Sequence, residues 1–175
     1  MQAQKTCFDE FEEDINKEFL PINETLLKKE KGAGRWTKAV NNAVSKVSKK
    51  RGYKVCASKC DQKDGAEWLY DLTCLEEENG YLKSILLVLE SEWENTKKIY
   101  KDEILYDFKK LLVSRADHRI MVLDVKSEEE EKEIIDQLLQ HVEKCRHSTI
   151  GDRYLFACWN KEEQRFRCSP YVIKE

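Results

Sequence analysis

Three carboxylates stand out for where they fall. Glu90 and Glu92 close the run ILLVLESEW at residues 85–93, and Asp71 lies within the earlier stretch EWLYDLTCL at residues 67–75. Side chains alternate along a strand, so Glu90 and Glu92 face one side with Leu86 and Val88, and Leu69 and Asp71 share a side of the partner. Asn79-Gly80 between the two stretches is a strong hairpin-turn signal. Strict pairing about that turn sets Glu90 against residue 69 or so, which leaves Asp71 beside or diagonal to the two glutamates. Three carboxylates gathered there repel one another unless a counter-charge is present. A divalent cation removes the conflict, and hard oxygen ligands suit Mg2+, with the Ser91 carbonyl able to complete the set. The plain alternative, Glu92 in solvent past the strand end and Asp71 paired with a lysine, stays open on spacing alone.

These acids need elements to carry them. Phe8, Phe11, Ile15 and Phe19 recur at helical spacing and predict an amphipathic helix from residue 8 to about residue 29, disturbed near Pro21. Gly32-Ala33-Gly34 breaks the chain. Trp36, Val40, Val44 and Val47 mark a second helix from Arg35 to about Arg51, which Gly52 stops. A short strand at 53–57 and the hairpin of 67–75 with 81–92 follow. Asn95-Thr96 can start a long helix that ends near Arg115, and HRIMVLDV at 118–125 is a further core strand. Ser127 with Glu130 reads as a capping box for a helix through about Cys145. Two late strands, 153–159 and 165–173, complete the chain. The order predicts a single α/β domain over 1–175, a mixed sheet with helices on its faces. Within it, 1–31 forms an N-terminal helix or arm, 35–125 the core, and 127–175 the last helix and strands.

Composition narrows the classes. The 175 residues are 41% hydrophobic and 37% charged, with a net charge of −3, so a soluble, ordered domain is expected. No apolar run reaches membrane-span length, the acidic N-terminus is unlike a secretory signal, and seven scattered cysteines suit a reducing compartment, so a cytoplasmic protein is expected. The small net charge hides an uneven distribution: from Lys28 to Lys59 there are eleven basic residues against Glu30 alone. Such a segment can be a phosphate-binding face or a solvated Lys-rich helix.

A helix, a strand hairpin carrying Asp and then Glu-x-Glu, a helix and a further strand resemble the core of the PD-(D/E)XK nuclease superfamily over residues 35–125. Asp71 matches the Asp of that motif, with Tyr70 where its Pro stands, Glu90 matches the acidic residue, and Glu92 occupies the place of the usual lysine. Some members carry Glu there, and others supply the lysine from the following helix. In YDFKKLL, Asp107, Lys110 and Ser114 share a helical face, which makes Lys110 the candidate for a migrated lysine, with Lys109 behind it. A lysine on a solvated helix face is the competing reading.

The resemblance implies a restriction-endonuclease-like three-layer sandwich with an αβββαβ core, and metal-dependent hydrolysis of phosphodiester bonds. Asp71, Glu90 and Glu92 would hold Mg2+ or Mn2+, and Glu92, with or without Lys110, would orient or deprotonate the attacking water. Arg35, Lys38, Lys46, Lys49 and Lys50 would neutralise the phosphates of a nucleic acid, DNA before RNA. No membrane is implied, and a homodimer is allowed. The rival is a catalytically inactive module of the same fold that binds nucleic acid or protein. A zinc site from Cys56, Cys60 and Cys74, or from Cys145, His147 and Cys158, lacks finger-type spacing, so buried thiols are the better reading. Trp36 and Trp68 are read as core residues rather than platforms for bases.

Overall fold

A strand as apolar as residues 85–89 needs cover on both faces, and the chain supplies it. A computed structural model describes residues 1–23, 34–93 and 99–175. Seven strands form one mixed sheet: β1 (Gln2–Lys5), β2 (Lys54–Ala57), β3 (Leu72–Glu78), β4 (Tyr81–Glu92), β5 (Ala116–Val125), β6 (Arg153–Asn160) and β7 (Arg165–Lys174). Their order across the sheet is β1-β7-β6-β5-β4-β3-β2, parallel only between β4 and β5 and between β5 and β6. Helices α1 (Glu10–Phe19) and α2 (Arg35–Lys50) contribute to the apolar core on one face. On the other face lie α3 (Ile99–Leu112) and α4 (Glu128–Lys144). The three-layer α/β arrangement follows the sequence reading.

The faces divide β4 residue by residue. Leu87 and Leu89 enter the core beneath α1 and α2, whereas Val88 packs toward α3 and α4 with Phe108, Leu111 and Phe156. Leu86 lies with Leu87 rather than with Val88, contrary to simple alternation. The cause is the register shift between Cys74 and Leu75, which leaves Leu86 unpaired; a second shift, between Glu76 and Glu77, skips Lys83. A bulge places two residues of one strand against one of the other and resets which side follows. Asn79 and Gly80 make the expected turn, with φ of 54° and 81°, the left-handed conformations that a two-residue hairpin requires.

Other boundaries move. The strand expected at 67–75 begins at Leu72, so residues 67–71, Asp71 among them, form a loop, and Leu69 is exposed rather than sharing a strand face with Asp71. The first helix stops at Phe19, capped by Leu20, ahead of Pro21, and its predicted continuation over 24–29, like Gly32-Ala33, lies outside the described residues. The helix start at Asn95-Thr96 also lies outside them. α2 stops as expected: Gly52 N–H donates to the Lys49 carbonyl (3.0 Å) and Tyr53 N–H to that of Ser48 (3.1 Å). β1 is an addition, an antiparallel edge strand on β7.

Residues 10–22 belong to the core rather than to an arm. Phe11, Ile15, Phe19 and Ile22 are buried in it. Asp9 caps α1 by accepting from Glu12 N–H (2.9 Å), while Glu12 Oε2 accepts from Asp9 N–H (3.1 Å). Glu12, 1% exposed, is also gripped by Arg153 of β6, with Nε to Oε1 at 3.0 Å and Nη2 to Oε2 at 2.5 Å. Removing the guanidinium strands a buried carboxylate. Arg153→Met is therefore expected to cost about 3–5 kcal/mol, read as a fall in the urea midpoint at unchanged slope; an unchanged midpoint would show that α1 docks without this pair.

Candidate functional site

The acids converge at the end of the hairpin. Leu72 pairs with Leu89, so Asp71 comes level with Glu90, two residues from the partner that strict pairing from the turn suggests. Two features fix Asp71 there. Asn41 of α2 donates from Nδ2 to the carbonyls of Ser58 (3.1 Å) and Asp71 (3.3 Å), tying the loop before β3 to the helix. The Asp71 carboxylate, for its part, accepts at Oδ2 from Ser91 N–H (3.0 Å) and from Ser91 Oγ (2.7 Å). Ser91 has one hydroxyl proton, so the 3.3 Å contact between Ser91 Oγ and Thr37 Oγ1 must be donated by Thr37. Thr37 accepts in turn from Trp93 Nε1–H (3.0 Å). A one-way chain from Trp93 through Thr37 and Ser91 thus ends on Asp71. Sequence reasoning singled out none of Thr37, Asn41 and Ser91 for this work. Buried polar residues on a helix stripe that is otherwise valine were the available signal.

Glu90 points to the α3 side. It is 3% exposed, and Lys110 Nζ lies 2.5 Å from its Oε1 and 2.8 Å from Asp107 Oδ1. The geometry at Oε1 is one of charge without alignment, since that oxygen has no well-directed donor among the described residues. The lysine expected on α3 therefore does reach the acids. Tyr70, buried against α3, holds the same turn of helix with a 3.4 Å hydrogen bond to the Lys110 carbonyl.

Charge accumulates around these groups. Burial pushes the Glu90 carboxyl up to about 8, against the pull of Lys110 and with the push of Asp107 and Asp71. Burial likewise lifts Glu92 to about 8, helped by a hydrogen bond shared with Asp107 and by the charges of Asp107, Glu103 and Asp71. Asp71 is raised by burial, with the Ser91 bonds working the other way. Lys110 is raised as well: burial opposes its charge, but Asp107 and Glu90 more than offset that. A cleft of about 600 Å3 opens onto Asp71, Ser91, Glu92, Trp93, Tyr106 and Asp107. Lys59 reaches it too, packed so closely on Gly34 that a Cβ there would fall 2.6 Å from its Nζ.

A carboxyl raised by folding stabilises the fold while it stays protonated. Its contribution is complete below the unfolded value near 4.5 and is lost as pH rises through about 8. In metal-free protein, Glu90→Gln should gain on the natural chain as pH increases from 5 to 9. The difference should open to a few kcal/mol, about 1.4 kcal/mol for each pH unit of displacement. Parallel stability curves across that range would show that Glu90 is not displaced.

The chain matches no family model, no curated protein and no solved structure in the comparisons made. The functional reading therefore rests on geometry. Asp71, Glu90 and Glu92 are brought to one end of the hairpin, but among the described residues only Asp9, Glu12 and His118 place three ligand atoms within 4.8 Å of one another. Those atoms are already engaged in the α1 cap and with Arg153, which approaches Asp9 at 3.2 Å and holds Glu12. A guanidinium already neutralises that trio, so its donors do not call for a metal. At the hairpin the balance is reversed: of Asp71, Glu90, Glu92 and Asp107, Lys110 contacts only Glu90 and Asp107, so one ammonium stands against four acids. Hard oxygen donors and surplus negative charge suit Mg2+ or Mn2+, with Glu90 and Asp71 needing release from Lys110 and Ser91 for all three to meet one ion.

The remaining candidates fall elsewhere. Lys46 and Lys50 pair with Glu18 (2.7 and 3.9 Å), Lys38 with Asp61 (3.1 Å) and Lys49 with Asp64. Arg35 opens α2 half-buried. The basic helix is thus largely matched by neighbouring acids. All seven cysteines are free, and neither proposed thiol set meets the 4.8 Å spacing among the described residues. Trp36 packs on the core beside Trp93 and Trp159 as expected, but Trp68 is exposed. No described helix is long and apolar enough to cross a membrane.

A larger cavity, about 700 Å3, lies by the start of β5 among Arg115, Arg119 and Arg146. Arg119 there caps α3, donating to the carbonyls of Leu111 (3.2 Å) and Ser114 (3.0 Å), and pairs with Asp152 at 3.3 Å. Nε and Nη2 of that arginine are taken up by the architecture, while its buried Nη1 has no hydrogen-bond partner among the described residues.

Proposed function

We propose that this protein is a metal-dependent nuclease of PD-(D/E)XK type, hydrolysing phosphodiester bonds of nucleic acid, DNA before RNA. The observation that carries the reading is the convergence of Asp71, Glu90 and Glu92 at one end of the β3–β4 hairpin, with Lys110 of α3 against Glu90. The run α2, β2, β3, β4, α3, β5 has the αβββαβ order of a restriction-endonuclease-like core, which supports the same assignment.

Asp71 and Glu90, with Glu92, would hold Mg2+ or Mn2+, which when bound supplies positive charge to a phosphate and acidifies a water. In metal-free protein burial lifts the Glu92 carboxyl to about 8; beside a bound cation it would be ionised and would orient or deprotonate the attacking water. The hydrogen bond between Glu92 and Asp107 belongs to the protonated carboxyl, so ionisation of Glu92 releases it from Asp107. Lys110, drawn from Glu90, would place its ammonium where negative charge grows on the phosphate. The Trp93–Thr37–Ser91 chain keeps Asp71 at the strand end.

The test is incubation with labelled single- and double-stranded DNA and RNA in Mg2+ or Mn2+, with EDTA and Asp71→Asn as controls. Cleavage that needs both the metal and Asp71 supports the reading. Absence of cleavage of all four substrates in either metal overturns it, and metal-independent binding under those conditions favours the inactive module.

A further inference from the structure

We infer that the substrate is engaged through unpaired nucleotides, whose bases stack on aromatic side chains at the rim of the cleft. This rests on the nuclease reading and adds the form of nucleic acid to it. Trp68 is 49% exposed and Leu69 63% exposed on the loop that runs directly into Asp71. Tyr106, 69% exposed, lies on the cleft wall one turn before Lys110, whose ammonium sits 5.9 Å from the centre of its ring. Large apolar groups at such exposure beside a polar site point to a partner that covers them.

The loop is held rather than loose, so these groups are presented from a fixed base. Tyr70 is buried between Leu69 and Asp71 and bonds to the Lys110 carbonyl, and the Asp71 carbonyl is held by Asn41. Trp68 is three residues from Asp71, so the two Cα atoms are at most about 11 Å apart. A base one or two nucleotides from the phosphate at Asp71 lies within reach of the indole.

Charge decides between a duplex and a single strand. Duplex recognition draws its affinity from many lysine and arginine contacts to phosphates. Here the lysines of α2 are paired with Glu18, Asp61 and Asp64, Lys54 with Glu77, and Lys83 with Glu78. The net charge is −3. Lys59 lines the cleft itself, and Lys110 beside it is already paired with Glu90 and Asp107, enough to meet the local backbone but not to wrap a duplex. Stacking supplies affinity without such a field, because every unpaired base offers a face.

The experiment is fluorescence anisotropy in Ca2+, with the full chain and three probes of equal length: a labelled oligothymidylate, a blunt duplex and an abasic strand. The oligothymidylate is expected to bind more tightly than the duplex and to quench tryptophan emission. Trp68→Ala and Tyr106→Ala should each weaken it roughly 5- to 150-fold and leave abasic binding unchanged. Both side chains are exposed, so the variants should retain the parent melting temperature. Equal affinity for the duplex, or oligothymidylate binding indifferent to both substitutions, overturns the stacking inference while metal-dependent cleavage can still stand. Failure of all three probes to bind overturns the inference and the nuclease reading together.

Discussion

Mg2+ or Mn2+ should raise the melting temperature of the natural chain, and Asp71→Asn and Glu90→Gln should each abolish that rise together with cleavage. A ligand at 100 times its dissociation constant stabilises the native state by about 2.7 kcal/mol, which for a chain of this size is a rise of roughly 5–10 °C. The loss of rate should exceed the roughly 100-fold that removal of a mere outer-shell partner costs. The two variants are isosteric; Asp71→Asn removes a carboxylate from a crowded acidic site and Glu90→Gln replaces a carboxyl that burial already holds protonated up to about pH 8, so neither should unfold the metal-free protein. Glu90→Gln should stabilise it above neutral pH, because burial already disfavours the ionised Glu90 carboxyl. This opposition of signs is diagnostic: a structural acid lost from the same place would lower stability with and without the metal. A metal-induced rise that survives Asp71→Asn would remove Asp71 from the ligand set.

How far the sequence led depends on which residues carried a periodic signal. The greasy run of β4, the Asn79-Gly80 turn and the α2 stripe were legible because burial on two faces, positive φ and a 3.6-residue period each leave a mark in residue type. Glu90 was therefore placed near the end of the right strand, whereas Asp71, expected within a strand, lies in the loop just before β3. The register was not legible. Two shifts in β3–β4 bring Asp71 level with Glu90, and nothing in EEENGYLKS declares a bulge. The strand start was misjudged because WLYDL alternates in type as a strand would, although Trp68 and Leu69 are exposed and Tyr70 alone is buried. β1 left no pattern because three of its four residues are exposed at a sheet edge. The basic helix kept its lysines but not its free charge, since Glu18, Asp61 and Asp64 come from separate segments that only the fold brings to it. Composition along the chain could not foresee that neutralisation.

Lys110→Met should separate two roles that a lysine against a carboxylate can play. The thioether keeps most of the apolar stem and removes the ammonium that lies 2.5 Å from Glu90 and 2.8 Å from Asp107. If Lys110 acts on the reacting phosphate, turnover should fall roughly 100- to 1,000-fold, the cost of losing one charged donor to a developing anion. At the same time the metal should bind more tightly, because a competing cation no longer occupies Glu90. Metal-free stability should fall at high pH, where Glu90 and Asp107 then face each other without a counter-charge. Lys110→Arg should not restore full turnover, since a planar fork does not place its charge where a compact ammonium does. A lysine that served only as counter-ion would give a different pattern: lower metal-free stability, tighter metal binding and unchanged turnover at saturating metal. The departure of this chain from the Glu-x-Lys pattern makes that measurement decisive. Glu92 fills the strand position where the lysine is expected, and α3 brings a lysine to Glu90 instead. Loss of turnover in Lys110→Met would show that the chemistry follows where the ammonium lies in space, whichever element delivers it.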